Sequence, residues 1–548
     1  MNLGRRLTNC RMCESTKLHE FLDLGFMPPA DGILNKEEIN HPEIFFPLKV
    51  AQCEDCGLTQ LTYAVNPEIL YNEKYSYESS ITETGKKHFL DMADSICQRF
   101  EIKNGLAVDI GSNVGVLLEG FKKNGMTVLG IDAAPKIVEI ANKRGIETWL
   151  EFINPVVAKK IISKFGMAKI ITGTNVFAHI DDKAGLVESL KILLDKDGVF
   201  VIEAPYFVDL IDNLEYDTIY LDHLEYLSIK PLVNFFYKND MEVFDVERYE
   251  IHGKSIRIFV GRKGFRQVSE NVNKLLKLEE EKGIYKINNL ENFAKKVQEH
   301  KKEFSDLLRD LKKQGKKIVG ISAPAKGNTL LNYCKISTDV IDYMAEKSKI
   351  KSGRYTPGMH IPIIDENKLV EDEADYGIIF AWNFAKEIIK NNQEFVRKGG
   401  KFIIPIPKPI IMEEETENLF GVKIEKVNPN FMDERGMIAD LSNKQMNHVG
   451  LITTEVGAQR GPHYHKLSVQ DSYILSGRFE VILAPANDAK NARKVILNAG
   501  EMITIPPMVI HGFKAIDRAI MIDMSQTRGE TGYESDVVRV KIEDLKIS

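Results

Sequence analysis

The pattern of apolar and polar positions changes character along the chain. Residues 1 to about 75 carry short apolar stretches broken by turn residues, without sustained helical periodicity. From about 80 to 265, helical patterns alternate with short apolar runs at 106–110, 127–131, 170–173 and 199–203. Such alternation is typical of strands and helices in a parallel α/β sheet, so this region predicts one such domain.

A charged segment separates this region from a second one with the same rhythm. Apolar side chains near helical spacing, among many lysines, predict an amphipathic helix with a solvated basic face: Phe293, Val297, Phe304, Leu308 and Leu311. Strand, loop and helix patterns resume at 318–322 and continue to 402–407. These residues predict a second α/β unit.

The last part of the chain has a different pattern. An acidic linker, residues 413–417, precedes it. After about residue 430, short alternating strands are separated by Gly and Pro turns, for example within residues 473–483. Because half-buried strands alternate apolar and polar side chains, this pattern predicts an all-β sandwich or barrel.

Composition narrows the class of protein. The chain has 548 residues, 43% apolar and 28% charged, as in soluble globular proteins of several domains. Its net charge of -6 gives no general attraction to nucleic acid or to an anionic membrane. No run reaches the roughly 18 apolar residues of a membrane span, and no apolar signal core follows the N-terminus. We expect a cytoplasmic protein whose partners include neither nucleic acid nor a membrane.

Four of the six cysteines form two Cys-x-x-Cys pairs, Cys10 with Cys13 and Cys53 with Cys56. Four thiolates are the ligand set that zinc prefers in closed structural sites. The surrounding segment has no evident core of its own, and a bound metal can supply the missing folding energy. These pairs predict structural zinc. Because the gap between the pairs is long, unrelated thiols or a redox motif are the alternatives.

A glycine-containing loop follows the first strand of the predicted sheet. Asp109, Gly111 and Gly115 form the pattern Asp-x-Gly-x-x-x-Gly, which differs from the dinucleotide and phosphate-loop patterns. Asp132 ends the next strand, where a carboxylate can accept both hydroxyls of an adenosine ribose. The combination favours S-adenosylmethionine, with Asp109 facing its cationic end. An ordinary turn within the sheet is the alternative.

Two polar segments follow later strands, where open α/β sheets bind their ligands. The first contains Asn175, assigned to the cofactor, and His179; the second contains Tyr220, Asp222 and His223. Methylation of carbon needs a base that removes a proton beside a carbonyl and donors that stabilise the developing enolate oxygen. A histidine with a carboxylate neighbour and a tyrosine hydroxyl meets both needs, so these residues favour carbon methylation.

The first 410 residues resemble, from end to end, the sugar C-methyltransferases of deoxysugar biosynthesis. The resemblance rests on these motifs: Cys10-x-x-Cys13, Cys53-x-x-Cys56-Gly-Leu-Thr-Gln60, Tyr75-Ser-Tyr77, Val108-Asp-Ile-Gly111, Asn175-Val-Phe-Ala-His179, Glu203-Ala-Pro-Tyr206, His252-Gly-Lys-Ser-Ile-Arg257, Ala323-Pro-Ala-Lys-Gly-Asn328, Gly353-Arg-Tyr-Thr-Pro-Gly358, Ala381-Trp-Asn383 and Pro405-Ile-Pro407. It implies a zinc-binding domain, a domain that binds S-adenosylmethionine, and a Rossmann-like C-terminal domain. The implied reaction is methyl transfer to carbon of a nucleotide-linked 4-keto-6-deoxysugar.

A family motif supports the catalytic assignment. In its usual form, Tyr-His-Glu-His, the tyrosine, glutamate and second histidine line the site, and they match Tyr220, Asp222 and His223. Leu221 and Asp222 depart from that form, and the shorter Asp side chain retracts the carboxylate. His223 remains the favoured base despite this departure.

The resemblance also implies site residues outside that motif. Tyr77 and His179 carry over as residues that orient the sugar or assist proton transfer. Lys326 lies in a loop with Gly and Pro after a strand and is assigned to the sugar diphosphate, and Asn328 is assigned to the substrate. For Lys326, an ordinary surface lysine is the alternative.

Histidines gather in the predicted all-β region. His463 and His465 belong to the segment Gly-Pro-His-Tyr-His, and His511 follows two prolines. Histidine changes charge near neutral pH and therefore suits proton transfer. Metal coordination is the alternative, although the position five residues after His465 is Gln470 rather than Glu.

This region resembles the cupins that act on nucleotide-linked 4-keto sugars, both the 3,5-epimerases and the 3,4-ketoisomerases. The epimerase-like features are Arg435-Gly436, Arg460-Gly-Pro-His463 and Ile505-Pro-Pro-x-x-x-His511-Gly-Phe513. The ketoisomerase-like features are His463-x-His465-Lys466 with Gln470, and Tyr533-Glu-Ser-Asp536. Asp523 replaces the epimerase tyrosine. Either resemblance makes His463 the base and His465 a second candidate, with Arg460 and His511 binding substrate.

Both halves point to sugars that form enolates, because methylation and epimerisation each begin by removing a proton beside a carbonyl. We expect a bifunctional multidomain enzyme of α/β and all-β domains: zinc-binding 1–75, methyltransferase 76–265, Rossmann-like 266–410 and cupin 411–548. The first three methylate the sugar at C3, and the cupin epimerises or isomerises it. The alternatives are a cupin that only binds sugar or forms a homodimer, and a nucleic-acid methyltransferase, which the net charge disfavours. Whether the cupin binds a second metal ion is left open.

Overall fold

The computed structural model describes residues 2–73, 75, 77–79, 83–249, 254–412, 420–427, 429–433, 435–443, 446–525 and 536–541. Four sequence features lie outside these ranges: Ser76, residues 252–253, the linker 413–417 and residues 533–535. The chain divides into two compact units, residues 1–412 and 413–548. The division into four domains stays a prediction. No helix in the described ranges is long and apolar enough to cross a membrane.

The N-terminal segment forms small antiparallel sheets. Its elements are β1 (Gly4–Arg6), β2 (Leu18–Met27), β3 (Phe46–Cys53), β4 (Thr59–Leu61), β5 (Tyr63–Val65) and α1 (Pro67–Leu70). β2 pairs with β3, and β3 pairs with β4. Apolar side chains of β3, including Leu48 and Val50, are fully buried. The segment therefore has a core, which belongs to a larger cluster that also includes residues of the following α/β region.

The next region is a seven-stranded sheet in the order β12-β13-β10-β9-β6-β7-β8. Its elements are α2 (Glu83–Arg99), β6 (Leu106–Ile110), α3 (Val116–Lys123), β7 (Thr127–Asp132), α4 (Pro135–Lys143), β8 (Thr148–Leu150), α5 (Pro155–Phe165), β9 (Ala168–Thr174), α6 (Lys183–Leu193), β10 (Leu194–Pro205), α7 (Phe207–Asp212), β11 (Glu225–Tyr226), α8 (Ile229–Lys238), β12 (Met241–Tyr249) and β13 (Ser255–Arg262). The four apolar runs expected to form parallel strands are confirmed as β6, β7, β9 and β10. β13 adds antiparallel to β10. The carboxyl ends of the parallel strands meet at one edge, where the candidate residues lie.

The second α/β region has a sheet in the order β16-β17-β15-β14-β18-β19-β20. Its elements are α9 (Glu270–Lys282), α10 (Ile287–Lys313), β14 (Ile318–Ile321), α11 (Ala325–Cys334), β15 (Met344–Glu346), β16 (Arg354–Tyr355), β17 (Pro362–Asp365), α12 (Lys368–Glu371), β18 (Tyr376–Ile379), α13 (Ala385–Asn391), α14 (Gln393–Arg397), β19 (Lys401–Ile404) and β20 (Ile410–Met412). The predicted amphipathic helix is confirmed as α10, which buries Phe293, Val297, Phe304 and Leu308. Its lysine-rich face stays in solvent, as the pattern predicts.

The second unit is all-β, as expected. Its strands are β21 (Lys423–Lys426), β22 (Phe431–Asp433), β23 (Gly436–Ile438), β24 (His448–Thr454), β25 (Gln459–His465), β26 (Gln470–Ser476), β27 (Arg478–Pro485), β28 (Arg493–Asn498), β29 (Glu501–Ile505), β30 (Val509–Ala515), β31 (Ala519–Ser525) and β32 (Val537–Arg539). They form two five-stranded sheets, β21-β29-β26-β31-β24 and β28-β27-β30-β25-β32, and the hairpin β22-β23. Phe479, Leu483, Ile503 and Phe513 belong to the buried core. The unit is therefore a sandwich of two sheets around one core.

Candidate active sites and zinc centre

The four paired cysteines come together in one cluster. Sγ of Cys10 lies 3.5 Å from Sγ of Cys56, and Sγ of Cys13 lies 3.5 Å from Sγ of Cys53. All four sulfur atoms lie within 4.8 Å of one another. A tetrahedral zinc with Zn–S bonds of about 2.3 Å needs sulfur atoms about 3.8 Å apart, so the cluster fits this ion. The long gap between the pairs is closed by β2 and β3, in which Leu18 lies opposite Cys53.

The zinc-binding segment also holds part of the candidate catalytic region. β11 pairs antiparallel with β4, so Glu225 lies opposite Gln60 and Tyr226 opposite Thr59. The Leu61 N–H donates to the Leu224 carbonyl at 2.9 Å. These contacts follow directly on His223, so the sheet beside the zinc cluster fixes the backbone that carries the favoured base. The zinc-binding segment is therefore joined to the backbone of the favoured base through one small sheet.

The cofactor loop has the backbone that its sequence requires. Gly111 follows β6 with φ of 68°, and a Cβ there would lie 2.6 Å from a methyl group of Val176. Gly115 has φ of 82° and begins α3; a Cβ there would meet Ile146 instead. Gly111 borders the large cavity described below, whereas Gly115 does not. Both glycines therefore allow a neighbouring side chain to pack closely, and of the two only Gly111 borders the cavity.

Carboxylates flank this loop. The Asp132 carboxylate accepts hydrogen bonds from the backbone N–H groups of Asn113 and Ala134, both at 2.9 Å. Asp109 is buried, accepts a hydrogen bond of 2.6 Å from the Thr172 hydroxyl, and has its pKa raised to about 7 by burial. Both line the cavity with Asn175, whose φ is 54°. The loop and the two acids fit an adenosine with a cationic tail, which would favour the ionised form of Asp109.

A cavity of about 620 Å³ joins the predicted residues of the methyltransferase half. Those that line it are Tyr77, Asp109, Gly111, Asp132, Asn175, His179, Tyr220, Asp222, His223 and Lys326. Its volume is within the range of small-molecule sites. Asn328 does not line it, because its side chain is buried and donates to the Ala30 carbonyl at 2.6 Å. Asn328 thus connects α11 to the zinc-binding segment.

The two histidines at this cavity are held through Nδ1. The Nδ1 atom of His223 lies 2.7 Å from the Thr218 carbonyl, which can only accept, so Nδ1 carries the proton and Nε2 a lone pair. Nδ1 of His179 lies 3.0 Å from the Tyr71 hydroxyl. The two imidazole rings are 5.0 Å apart, and the Tyr220 ring lies 3.9 Å from that of His223. Burial lowers the pKa of His223 to about 4, so this ring is neutral near pH 7.

The acid beside His223 differs from its expected role. The sequence predicts a carboxylate partner for the histidine, but the Thr218 carbonyl holds the ring, and Asp222 makes no hydrogen bond to that ring among the described residues. Burial, with Asp31 nearby, raises the pKa of Asp222 to about 8. Burial also keeps the Tyr220 hydroxyl protonated by raising its pKa. Near neutrality, both groups can therefore donate a hydrogen bond to a developing oxyanion.

Two lysines form a basic part of the cavity wall. Lys326 lines it from α11; its Nζ lies 4.6 Å from the centre of the Trp382 ring and 3.4 Å from Oδ1 of Asn383. Burial lowers the pKa of Lys326, while Asp217 and Glu215 oppose that shift. Lys351 is a second buried lysine on this wall; its Nζ lies 3.7 Å from Asp31. The wall therefore supplies positive charge for an anionic part of a substrate.

The histidines of the second unit form a separate cluster. The ligand atoms of His463, His465 and His511 lie within 4.8 Å of one another. Nε2 of His465 and Nε2 of His511 each lie 2.9 Å from Oε1 of Gln470. Nδ1 of His465 faces Asp536 at 3.2 Å, and Nδ1 of His511 donates to the Val509 carbonyl at 3.0 Å. Three imidazoles and an amide oxygen can hold either a proton or a metal ion.

Arg460 lies apart from that arrangement. Its guanidinium is exposed and donates to the Thr453 carbonyl at 2.9 Å. Asp523, at the position expected for a tyrosine, accepts hydrogen bonds from Gln470 at 2.7 Å and from the Ser472 hydroxyl at 2.6 Å. Asp523 therefore orients Gln470, which faces two of the histidines.

Comparison with known proteins decides the family. A protein-family model for the C-methyltransferase C-terminal domain matches residues 250–407, one for a putative zinc binding domain matches 10–71, and one for a methyltransferase domain matches 87–246. The C-methyltransferase NovU of Streptomyces niveus is 32% identical over 417 residues, which cover 76% of this chain and 99% of NovU. This chain belongs to the C-methyltransferase family. The methyltransferase and zinc-binding domains imply S-adenosylmethionine and zinc.

Other similarities cover parts of this C-methyltransferase. A ubiquinone biosynthesis O-methyltransferase of Actinobacillus pleuropneumoniae is 30% identical over 106 residues, 18% of this chain and 45% of that protein. A cupin model matches residues 441–530. The sugar 3,4-ketoisomerase QdtA of Thermoanaerobacterium thermosaccharolyticum is 19% identical, covering 23% of this chain and 93% of QdtA, with a TM-score of 0.20. The dTDP-4-dehydrorhamnose 3,5-epimerase of Sulfolobus tokodaii is 21% identical, covering 24% of this chain and 86% of the epimerase, with a TM-score of 0.19. TM-scores of this size support no functional inference.

Several residues at these sites have no clear signal in the sequence of the C-methyltransferase. Asp31 and Tyr71 reach the cavity from the zinc-binding segment, and Lys351 reaches it from the second sheet. Thr218 acts through its backbone carbonyl, which no side-chain pattern reveals. Tyr71 follows a short helix four residues before the Tyr75 motif, which is the one local sign that this segment borders the site.

Proposed function

We propose that the first unit methylates the carbon beside the ketone, C3, of a nucleotide-linked 4-keto-6-deoxysugar. The observation that carries the proposal is the cavity shared by the Gly111 loop and by His223, a neutral histidine whose Nε2 has a free lone pair. The motifs shared with sugar C-methyltransferases support the class of acceptor. The second unit acts on the same sugar nucleotide.

His223 is the base. Its Nδ1–H is committed to the Thr218 carbonyl, so Nε2 removes the proton from carbon. The Thr218 bond fixes the tautomer and the ring plane, as a carboxylate does in other enzymes. His179 lies beside it, with Nδ1 held by Tyr71.

The developing enolate oxygen needs donors. The Tyr220 hydroxyl and the protonated Asp222 supply them, because burial raises the pKa of both groups. S-adenosylmethionine, when bound, supplies the electrophilic methyl group. Gly111, Asp109 and Asp132 would hold that cofactor, because all three line the same cavity as His223.

The nucleotide diphosphate of the substrate binds the basic wall. Lys326 provides the charge, and its ammonium group packs over the Trp382 ring. The indole N–H of Trp382 donates a hydrogen bond of 2.6 Å to the Asp217 carboxylate, which holds the ring in place. A phosphate group would raise the pKa of Lys326 and keep the ammonium charged. The role that the sequence gives to Lys326 is thus supported by its burial within the cavity.

The cupin performs a second proton transfer, an epimerisation or a ketoisomerisation. Nε2 of His463 is buried and has no hydrogen-bond partner among the described residues, whereas His465 and His511 share Gln470. Burial lowers the pKa of His463 to about 4, so the ring is neutral and able to accept a proton near pH 7. These contacts favour His463 over His465 as the base. The rival is a cupin that only binds sugar or drives dimerisation.

The test of the methyltransferase is direct. The purified chain is incubated with S-adenosylmethionine and a panel of nucleotide-linked 4-keto-6-deoxysugars, and the nucleotides are analysed by mass spectrometry. We expect one sugar to gain the mass of a CH₂ group, with NMR placing the new methyl on C3. If no sugar in the panel is methylated, the proposal is contradicted. Methylation of RNA or DNA in a parallel reaction would support the nucleic-acid alternative. Metal analysis should find one zinc per chain; a second metal would point to the cupin histidines.

A further inference from the structure

A second, much smaller cavity lies beside the methyltransferase site. Its volume is about 20 Å³. Among the residues that line it are Asn175, His179, Thr218, His223, Glu225 and Tyr226. His179 and His223 line the large cavity as well. A space of this size holds one water molecule, provided that polar atoms surround it.

The polar atoms are present and lack partners. Nε2 of His179, Oη of Tyr226 and Oε1 of Glu225 are all buried, and none has a hydrogen-bond partner among the described residues. Buried polar atoms are nearly always hydrogen-bonded, to protein or to ordered water. The three atoms belong to residues that line one water-sized space, which favours a water site there.

Glu225 also has a charged environment that holds its carboxylate in place. Oε2 lies 3.1 Å from Nζ of Lys183, and both side chains are buried. Lys183 donates further bonds to the carbonyls of Phe177 and Ile180, at 2.5 and 2.9 Å. The Arg11 guanidinium, paired with Asp181, adds positive charge near Glu225. Oε2 is therefore held in an ion pair, although neither carboxylate oxygen has a hydrogen-bond partner among the described residues.

We propose that this cavity binds one water molecule, which relays the proton taken from the sugar carbon by His223 to the Glu225 carboxylate. The inference rests on the proposed function, because it needs a proton that His223 has removed from carbon. The C–H bond breaks and an N–H bond forms at Nε2 of His223. That N–H then breaks as the proton passes to the water, which releases another proton to Oε1 of Glu225. No oxidant or other reactant is required.

The remaining polar groups position the water. Nε2 of His179 and Oη of Tyr226 bind it from two sides, while the Tyr71 hydroxyl holds Nδ1 of His179. The relay removes the proton from the neighbourhood of the enolate carbon. Return of that proton to carbon then becomes slow compared with exchange into solvent.

The test separates the relay from methylation itself. With S-adenosylhomocysteine bound, exchange of the substrate hydrogen in D₂O reports enolisation and loss of the proton; a single turnover with S-adenosylmethionine reports methyl transfer. We expect Glu225→Gln to slow exchange at least tenfold and to slow single-turnover methylation by less than threefold. An equal fall in both rates would mean a structural role and overturn the relay, as would unchanged exchange.

A second variant and a structural measurement guard against misfolding of the first. Tyr226→Phe leaves the Lys183–Glu225 pair intact and should slow exchange severalfold. The control is Tyr343→Phe: the Tyr343 hydroxyl donates to the Lys368 carbonyl in the second α/β region, so its loss should change neither rate. A high-resolution crystal structure of the full chain should contain a water within hydrogen-bond distance of His179 Nε2 and Tyr226 Oη. A dry cavity overturns the relay. Absence of wild-type methylation overturns the proposed function instead, and the crystal structure then decides the water site independently.

Discussion

The methyltransferase cavity and the cupin cluster both gather histidines, but their ring nitrogens have different partners. In the cavity, His223 and His179 each use Nδ1 for a hydrogen bond, to Thr218 and Tyr71, and keep Nε2 for a ligand or water. In the cupin cluster, Nε2 of His465 and of His511 each face Gln470, whereas Nε2 of His463 has no hydrogen-bond partner among the described residues. The number of available bases is therefore set by neighbouring groups and not by the number of histidines.

Neighbouring groups also set the protonation state of one acid in each site, Asp222 and Asp536. Burial raises the pKa of Asp222 to about 8, so near neutrality it is a hydrogen-bond donor. Burial acts on Asp536 too, but hydrogen bonds from Ser468, the Leu467 N–H and His465 outweigh it and lower its pKa. Asp536 therefore stays ionised beside His465. One acid suits stabilisation of an oxyanion, and the other suits orientation of an imidazole.

The largest expected effect is on His223. His223→Asn removes the lone pair that takes the proton and should lower methyl transfer by about 10²- to 10⁴-fold. The measurement is single-turnover methylation, with binding of S-adenosylmethionine and zinc content as controls for folding. Retention of a tenth or more of the wild-type rate would remove His223 from the role of base.

The matching change in the cupin is His463→Asn. Without S-adenosylmethionine, we expect epimerisation or isomerisation of the sugar nucleotide, followed by NMR, to fall by about 10²-fold or more, because Nε2 of both His465 and His511 faces Gln470 instead. His465→Asn should retain more activity. Unchanged product stereochemistry in His463→Asn would favour a cupin that only binds sugar.

The acid comparison predicts a pH dependence. If the protonated form of Asp222 stabilises the enolate, methyl transfer should be steady up to about pH 8 and fall about tenfold for each unit above it. Asp222→Asn cannot ionise, so the alkaline limb should flatten and the rate near pH 7 should drop less than in His223→Asn. An alkaline limb that persists in this variant would assign it to another group.

A smaller effect is expected at the cofactor loop. Gly111→Ala places a Cβ 2.6 Å from Val176 at a left-handed φ, which costs about 1–2 kcal/mol and should weaken binding of S-adenosylmethionine roughly tenfold by calorimetry. Gly145→Ala is the matched control: its φ is 80° but nothing lies within 4 Å of the added Cβ. Equal loss of affinity in both variants would show that general strain, not the loop, weakens binding.

Much of the architecture follows from local sequence patterns. The apolar runs predict β6, β7, β9 and β10, because buried parallel strands are apolar on both faces. The Cys-x-x-Cys pairs predict the sulfur cluster, since each turn presents two thiolates to one ion. The loops after these strands predict where the site lies, because parallel strands end at the same edge.

The rest depends on contacts between distant parts of the chain. β11 has two residues, and its pairing with β4 carries no periodicity that a sequence could reveal. Thr218 holds His223 through a backbone carbonyl, so its side-chain type is uninformative. The sequence assigns Asn328 to the substrate, but Asn328 lies in α11, and its side-chain amide donates a hydrogen bond to the Ala30 carbonyl. Backbone partners of this kind decide which of the predicted residues are available to a ligand.

The most direct test of two independent enolising sites is deuterium incorporation in a single sugar nucleotide. The wild-type chain, with S-adenosylhomocysteine and the accepted 4-keto sugar in D₂O, should exchange hydrogen beside the ketone by two routes. NMR should then find that His223→Asn removes one route, that His463→Asn removes the other, and that the double variant removes both. Complete loss of exchange in either single variant, or no effect of His463→Asn, would contradict the account of two separate histidine bases.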